Sequence, residues 1–389
     1  MVSGPELSGE ESPGAEAPGQ ISPPPVPPAD FNSYPAAVSE FSAYPPPPPP
    51  PGWYTDVPTV AGGYPEPSGF PPHVGKPPKP EPLPVEPREY QQFYRAPAFR
   101  WWKPLAAVAL FFVAWIVVSI PPVMIAIVWD TSQGKPLSMD ALNTPAMFAA
   151  NNVSIALAIP AALLTHWLIS RQRPPWLSSI VGGFRWGLFG RSVAIATVGL
   201  LIIFVVEAAL AGGVGELTWD ANSLFLLLTV VLTTPFQAAG EEYMMRGLVF
   251  RSVASWFRNR WLGLVIGIVV NSVIFMLLHG AGDPWLIAYY LLVAVLFSVL
   301  VWRTGGLEAA IAIHVVNNLV SEMTLPFQPD VFAHIFDRQA GVAGPETLIQ
   351  MGIMVLVAAA LLWQASRLKL LRANAPAALA QPQASAGLV

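Results

Sequence analysis

Two adjacent carboxylates and an arginine interrupt one of the most apolar regions of the chain, in the stretch AAGEEYMMRGLVF at residues 238–250. Glu242 and Arg246 are four residues apart, so on a helix they share a face and can neutralise each other. Glu241 lies about 100° around the helix from Glu242 and lacks such a local partner. A buried carboxylate without a partner is suited to act as a general base, so Glu241 is the first candidate for acid-base chemistry.

Two later apolar segments carry histidines within one-turn patterns. Asn271, Phe275 and His279 are spaced by four residues, as are His314 and Asn318, so each set shares one helix face. Two imidazoles and a carboxylate can ligate a metal whose bound water becomes nucleophilic. Alternatively, the carboxylate removes the proton from water directly while the imidazoles stabilise an oxyanion. The Asn318 amide can donate to that oxyanion in either case.

Ionisable side chains at membrane depth each cost about 2.5 to 3.5 kcal/mol on insertion scales. A single histidine in a membrane helix is more often an interhelical hydrogen bonder than a ligand, and we interpret His166 in this way. Three such groups on three polar segments are less readily explained by structure alone. Glu241, His279 and His314 are therefore predicted to share one site.

Composition places these residues in a membrane protein. The chain has 389 residues, of which 53% are hydrophobic and 11% charged, and a net charge of −4; its mean hydropathy is +0.50. These values are outside the usual range for soluble globular proteins, and the charge pattern gives no nucleic-acid footprint. The absence of cysteine excludes disulfides, thiolate nucleophiles and cysteine-type zinc sites.

Apolar runs long enough to cross a bilayer predict an all-α, polytopic fold with about eight transmembrane helices. They occupy residues 104–129, 147–169, 187–212, 222–245, 261–280, 284–302, 307–325 and 347–366. Basic residues fall in alternate loops, which by the positive-inside rule predicts a multi-pass cell-membrane protein with both termini cytoplasmic. The basic residues on that side are Arg100, Lys103, Arg171, Arg173, Arg185, Arg258, Arg260, Arg303, Arg367, Lys369 and Arg372.

The fourth apolar segment must be longer than hydropathy alone indicates. If it ended at Arg246, Glu241 would lie near the cytoplasm, whereas His279 lies nineteen residues, or roughly 28 Å, beyond Arg260. One helix over about 222 to 257 brings the two side chains to similar depth. His314 is closer to the basic loops, so we expect the site to be approached from the cytoplasmic side.

The N-terminal region has a different composition from the rest. Most of the 43 prolines lie in the first hundred residues, including the run 45–51, and this predicts a disordered cytoplasmic tail over residues 1–95. A spacer is the simpler interpretation, and binding of a cytoplasmic partner with an aromatic-lined groove is the alternative. The further predicted divisions are N-terminal helices at 96–215, a catalytic core at 216–325, a loop and last helix at 326–372, and a disordered C-terminal tail at 373–389.

Three motifs carry a family resemblance. EEYMMR at 241–246, FMLLH at 275–279 and HVVNN at 314–318 resemble the Glu-Glu-x-x-x-Arg, Phe-x-x-x-His and His-x-x-x-Asn motifs of the CPBP intramembrane proteases. That family includes CAAX prenyl endopeptidases of the Rce1 type, together with bacteriocin-processing and bacteriocin-immunity (Abi) proteins. The motifs agree in order and in helix placement, over about residues 220 to 325.

The resemblance implies an endopeptidase that cleaves a membrane-associated polypeptide, lipidated in CAAX substrates. It implies Glu241 as the water-activating base, His279 as a water ligand, and His314 with Asn318 as the oxyanion site, with Glu242, Arg246 and Phe275 as structural support. Zinc bound by His279, His314 and Glu241 and a metal-independent glutamate mechanism both remain open. The competing functions are a non-catalytic scaffold or bacteriocin-immunity protein, and a proton-coupled transporter.

Overall fold

The computed structural model describes residues 79–136, 143–210 and 212–374, apart from the side chain of Glu207. Most of the predicted disordered tails at 1–95 and 373–389 lie outside these residues. The described part of the chain is helical and contains no β-strand. Its α-helices are α1 Lys103–Ser132, α2 Pro145–Ala156, α3 Ala158–Ser170, α4 Pro175–Ser178, α5 Trp186–Leu210, α6 Ser223–Glu242, α7 Arg251–Ala254, α8 Arg260–Leu278, α9 Pro284–Thr304, α10 Glu308–Glu322, α11 Pro329–Phe332 and α12 Thr347–Arg367.

Seven segments among the described residues are long and apolar enough to cross a membrane. They include α2 with α3 as one span, and α6 with α7 as another. Their outward faces carry many large exposed hydrophobic side chains, as expected of helices that contact lipid rather than water. The spans are Lys103–Ser132, Pro145–Ser170, Trp186–Leu210, Ser223–Ala254, Arg260–Leu278, Pro284–Thr304 and Thr347–Arg367.

The eighth predicted span, at 307–325, is a shorter helix than expected. Helix α10 has 15 residues, which is about 22 Å long and less than a hydrocarbon core of about 30 Å. Its first nine residues are all buried, because protein surrounds this end of the helix. A hydrogen bond to Ser178 holds the turn before α10 in place: the Leu307 N–H donates to the Ser178 carbonyl at 2.9 Å. The apolar residues of α10 therefore contact neighbouring helices, whereas the prediction from hydropathy assumed that they contact lipid.

The fourth span is the long helix expected from the depth of Glu241. It runs over Ser223–Ala254, close to the predicted 222–257, and a π-helical stretch at Tyr243–Phe250 joins α6 to α7. Gly240 lets this helix approach α2 closely, since a Cβ there would lie 2.1 Å from the Ile155 carbonyl oxygen. Such π-helical stretches are frequent at functional sites.

Residues 79–95, which the sequence assigned to the disordered tail, pack against the bundle instead. Tyr90 is fully buried, and its hydroxyl donates to the Leu177 carbonyl at 2.6 Å. The buried guanidinium of Arg251 stacks over the Tyr90 ring at 3.9 Å. The Tyr94 hydroxyl lies 3.0 Å from His166 Nδ1, so His166 makes a structural hydrogen bond, and burial raises the pKa of Tyr94 to about 12.

Asp283 joins the start of α9 to the segment before α12. Its carboxylate accepts from the backbone N–H groups of Trp285 and Leu286 as an N-cap, and from Gly341 at 2.8 Å. Burial alone would raise the pKa of Asp283, but the backbone donors, led by Gly341, outweigh it and hold the pKa below its ordinary value of 3.8. The charged carboxylate therefore stabilises the fold above about pH 4, and this contribution is lost as the pH falls through the lowered pKa.

We expect Asp283→Ala to lower the thermal unfolding temperature at pH 7, because it removes both the helix cap and the loop anchor. The gap between wild type and variant should narrow as the pH falls below about 4. Thermal unfolding followed by circular dichroism across this range measures the gap. Asp330→Ala, at an exposed carboxylate on the short helix α11, is the control, and an equal gap at pH 3 and pH 7 would contradict the assignment.

Candidate active site

The structure brings the three predicted groups together from three different helices. Glu241 lies on α6, His279 directly follows α8, and His314 lies on α10. Glu241 Oε2 is 3.9 Å from His279 Nε2 and 3.7 Å from His314 Nε2. All three side chains line a cavity of about 650 Å³. The predicted grouping is therefore present, with the carboxylate oxygen just beyond direct hydrogen-bonding distance of each imidazole.

Glu242 and Arg246 form a fully buried ion pair beside this cavity. Arg246 Nη1 donates to Glu242 Oε1 at 2.9 Å, and neither side chain has any exposed surface. Arg246 Nη2 also donates to the Ala294 carbonyl at 3.2 Å, and the guanidinium stacks on Phe275 at 4.5 Å and on Phe297 at 5.3 Å. Charge, hydrogen bonding and ring contacts thus offset much of the cost of burying this arginine, whose Nε alone has no hydrogen-bond partner among the described residues.

Glu242 also contacts the site directly, which the sequence did not indicate. Its Oε1 lies 2.8 Å from His314 Nδ1, and His279 Nδ1 lies 2.8 Å from the Phe275 carbonyl oxygen. Because both partners only accept hydrogen bonds, each Nδ1 carries the hydrogen. In the neutral imidazoles the Nε2 atoms are therefore acceptors, and both face Glu241. Glu242 fixes the tautomer and the ring orientation of His314, as well as pairing with Arg246.

Asn318 reaches the site through Gln237, a residue that sequence reasoning missed. The Gln237 amide donates to Glu241 Oε1, and its oxygen accepts from Asn318 Nδ2 at 3.0 Å. Asn317 Nδ2 donates to Asn318 Oδ1 at 3.2 Å and sets the amide orientation. Gln237 lies one turn before Glu241, and this spacing was the available signal. The result is a chain of amides that holds one carboxylate oxygen and leaves Glu241 Oε2 without a hydrogen-bond partner among the described residues.

If Glu241 is the base that the motif resemblance implies, Gln237→Ala should lower the rate of the catalysed reaction by about 10-fold or more without unfolding the protein, because Glu241 Oε1 loses its donor. The loss should be in kcat with KM nearly unchanged, because Gln237 acts through the base and not through binding of the substrate. Steady-state kinetics separates these two constants. Gln350→Ala, which lines another part of the same cavity, is the control. An unchanged kcat for Gln237→Ala would contradict the role.

Glu322 is a second carboxylate on the cavity wall, which sequence reasoning did not single out. It lies two turns after His314 and one turn after Asn318 on α10, so all three share a face. The Thr234 hydroxyl donates to its carboxylate at 2.7 Å, and Asn152 Nδ2 donates to Thr234 at 3.1 Å. The four-residue spacing of Glu322 from Asn318, within the predicted span 307–325, was the available signal.

The predicted zinc ligands have the right chemistry for that ion. Two imidazole Nε2 atoms and a carboxylate are donors that zinc accepts, and Glu241 Oε2 lies 3.7 to 3.9 Å from both Nε2 atoms. Within the described ranges, no group of three or more His, Asp or Glu side chains is already placed to hold a metal ion. Zinc at His279, His314 and Glu241 therefore stays a prediction.

The cavity reaches the end of the bundle opposite to the basic loops. Its walls include the end of α8, the start of α9, the second half of α10 and the loop residues Ile335, Phe336 and Arg338. None of its lining residues belongs to 171–186, 255–260 or 303–308. The expectation that the site is approached from the basic side is therefore wrong. That expectation used only the number of residues along each helix. Such counts do not show at which end of the bundle the connecting loops leave the cavity open.

Comparison with known proteins agrees with this geometry. Residues 221–320 match the model of a family described as type II CAAX prenyl endopeptidase Rce1-like. The matched segment covers about a quarter of the chain, contains all three motifs and ends two residues before Glu322. The resemblance inferred from the motifs is confirmed for this segment. No curated protein and no solved structure matches the chain.

Proposed function

We propose, from the premise that residues 221–320 form an Rce1-like domain, that this multi-pass membrane protein is an intramembrane endopeptidase of the glutamate type. One observation carries the proposal: Glu241 Oε2, buried and without a hydrogen-bond partner in the described part of the chain, faces the Nε2 atoms of His279 and His314 at 3.7 to 3.9 Å. A water beside these atoms would donate one hydrogen to Glu241 Oε2 and the other to one imidazole Nε2.

In the proposed reaction, Glu241 takes one proton from this water and an imidazole Nε2 accepts a hydrogen bond from the other. The water oxygen forms a bond to the carbonyl carbon of the scissile peptide. The carbonyl oxygen of the scissile peptide becomes an oxyanion. The Asn318 side-chain amide turns away from Gln237 and donates a hydrogen bond to this oxyanion. The C–N bond then breaks, and the proton held by Glu241 passes to the leaving amine. No other reactant is needed.

Glu242 supports His314 during this reaction. A carboxylate behind Nδ1 of an imidazole fixes the tautomer and stabilises the ring when it becomes positively charged. The contact of 2.8 Å provides such an arrangement, and Arg246 donates to the same Glu242 oxygen at 2.9 Å. Held in this way, His314 Nε2 remains an acceptor that orients the attacking water while Glu241 removes its proton.

The substrate class proposed is a membrane-associated polypeptide. The cavity holds about 650 Å³ and combines aromatic and aliphatic walls with amides and carboxylates, which suits an extended peptide of a few residues. The family description includes prenylated substrates. Hydrolysis of matched peptides with and without a prenyl group on one cysteine, followed by mass spectrometry, tests whether lipid contributes to recognition.

Metal content separates the two mechanisms. We expect purified protein that hydrolyses peptide to contain no stoichiometric zinc and to keep its rate after treatment with a chelator. Elemental analysis of wild type, His279→Ala and His314→Ala makes the comparison. One zinc per chain in the wild type that is absent from both variants would replace the glutamate mechanism with a metal-assisted one.

A further inference from the structure

The two ends of the helix bundle differ sharply in charge. We call one end of the bundle the basic end. It consists of the loops that join α3 to α5, α7 to α8 and α9 to α10, together with the residues after α12. The opposite loops form the acidic end. Its described charged residues are Asp130, Lys135, Glu216, Asp220, Asp283, Glu322, Asp330, Asp337, Arg338 and Glu346. Only two of these are basic.

Hydrogen bonds confirm that the loops within each set lie together. At the acidic end, the Arg338 carbonyl accepts from Gly282 N at 2.8 Å, and the Phe327 carbonyl accepts from Thr218 N at 2.8 Å. At the basic end, the Gly305 carbonyl accepts from Ile180 N at 2.9 Å. Each set is therefore one physical face of the bundle, which the sequence could only assume from alternation.

The catalytic cavity belongs to the acidic end. Arg338, from the segment between α11 and α12, is part of its wall. Ser321 is exposed and lines this cavity together with an adjoining one of about 340 Å³. Towards the basic end, fully buried side chains such as Met245, Leu248 and Leu300 fill the bundle. A peptide can reach Glu241 from the acidic end without displacing the core.

We infer that the cavity opens on the extracytoplasmic side of the membrane, so that the substrate is a polypeptide segment exposed on that side. Basic residues collect in the cytoplasmic loops of membrane proteins because translocating them is unfavourable, and this assigns the basic end to the cytoplasm. The opening at the acidic end then faces outward. The substrate part of this inference rests on the proposed function. The direction of the opening rests only on the loop charges and the cavity lining.

Cysteine labelling tests the direction without any substrate. The chain has no cysteine, so single variants report one position each. Gln339→Cys marks the acidic end, Ser321→Cys the cavity and Leu371→Cys the basic end; all three side chains are exposed. A membrane-impermeant maleimide is applied to spheroplasts of a bacterial host before and after permeabilisation. We expect positions 339 and 321 to be labelled in intact spheroplasts, and position 371 only after permeabilisation.

The opposite labelling would overturn the inference, as would a cysteine at 321 that reacts only after permeabilisation or not at all. Each variant must keep the thermal unfolding temperature of wild type, and Ser366→Cys is a second marker for the basic end if Leu371→Cys does not fold.

A vesicle assay separates this inference from the proposed function. A membrane-impermeant peptide that the detergent-solubilised protein cleaves is added to right-side-out and to inverted vesicles. We expect cleavage outside right-side-out vesicles and at least about 10-fold less with inverted ones. Cleavage only with inverted vesicles would overturn the direction and leave the chemistry intact, whereas a solubilised protein that cleaves no peptide would contradict the proposed function itself.

Discussion

Glu241→Gln is expected to lower the rate of peptide hydrolysis by about 10²- to 10⁴-fold, the usual contribution of a positioned general base. The amide has nearly the same volume as the carboxylate but cannot take a proton from water. Its nearest donor, Gln237, can still bond to the remaining oxygen, so the fold should be preserved. The expected loss is in kcat, because the base acts on water and makes no direct contact that binds the peptide.

Glu346→Gln is the matched control for this prediction. Glu346 is exposed and lies just before α12, so the same chemical change there should leave hydrolysis unaltered. Both variants are compared by peptide hydrolysis in detergent and by thermal unfolding. Hydrolysis by Glu241→Gln within a factor of about three of wild type would remove Glu241 from the role of base. A scaffold function predicts that the variant keeps its biological effect.

The second large effect is on stability. Arg246→Met should lower the free energy of unfolding by about 3 to 5 kcal/mol, since it leaves Glu242 as an uncompensated charge in the protein interior. Both members of this pair are fully buried, and Glu242 also accepts from His314. Activity should fall as well, because Glu242 loses the partner that fixes its position against His314. Thermal unfolding in detergent measures the loss.

The double variant Glu242→Gln with Arg246→Met distinguishes charge from packing. The amide removes the buried charge while its oxygen can still accept from His314 Nδ1, so much of the stability should return. Arg260→Met, at an exposed arginine on the basic end, is the control and should have little effect. If the double variant were no more stable than Arg246→Met, the loss would come from the contacts of Arg246 with Phe275 and Phe297, and not from the unpaired carboxylate.

The sequence predicted those parts of the molecule that depend on position along a helix. Spacing by four placed Glu242 and Arg246 on one face, and the need to match the depths of Glu241 and His279 predicted the extension of the fourth span to about residue 257. These predictions succeed because a helix has a fixed rise and turn per residue. The grouping of Glu241, His279 and His314 followed from the cost of burying ionisable groups.

The contacts that pass between helices could not be predicted in this way. The Glu242–His314 and Gln237–Asn318 hydrogen bonds depend on how α6 and α10 are rotated against each other, which one-dimensional spacing does not contain. The short α10 and the ordered residues 79–95 were mispredicted for a related reason. Hydropathy and proline content describe a segment by its composition, whereas its packing partners, such as Ser178 for α10 and Arg251 for Tyr90, are distant in the chain.

The central claim is that Glu241 activates water to cleave a peptide bond, and ¹⁸O incorporation tests it most directly. Purified wild type and Glu241→Gln are incubated in H₂¹⁸O with peptides derived from the membrane proteins of the expression host, and the products are analysed by mass spectrometry. We expect new carboxyl termini carrying one ¹⁸O atom with wild type, and their loss with Glu241→Gln. Labelled products in equal amounts from both proteins, or none from wild type, would contradict it.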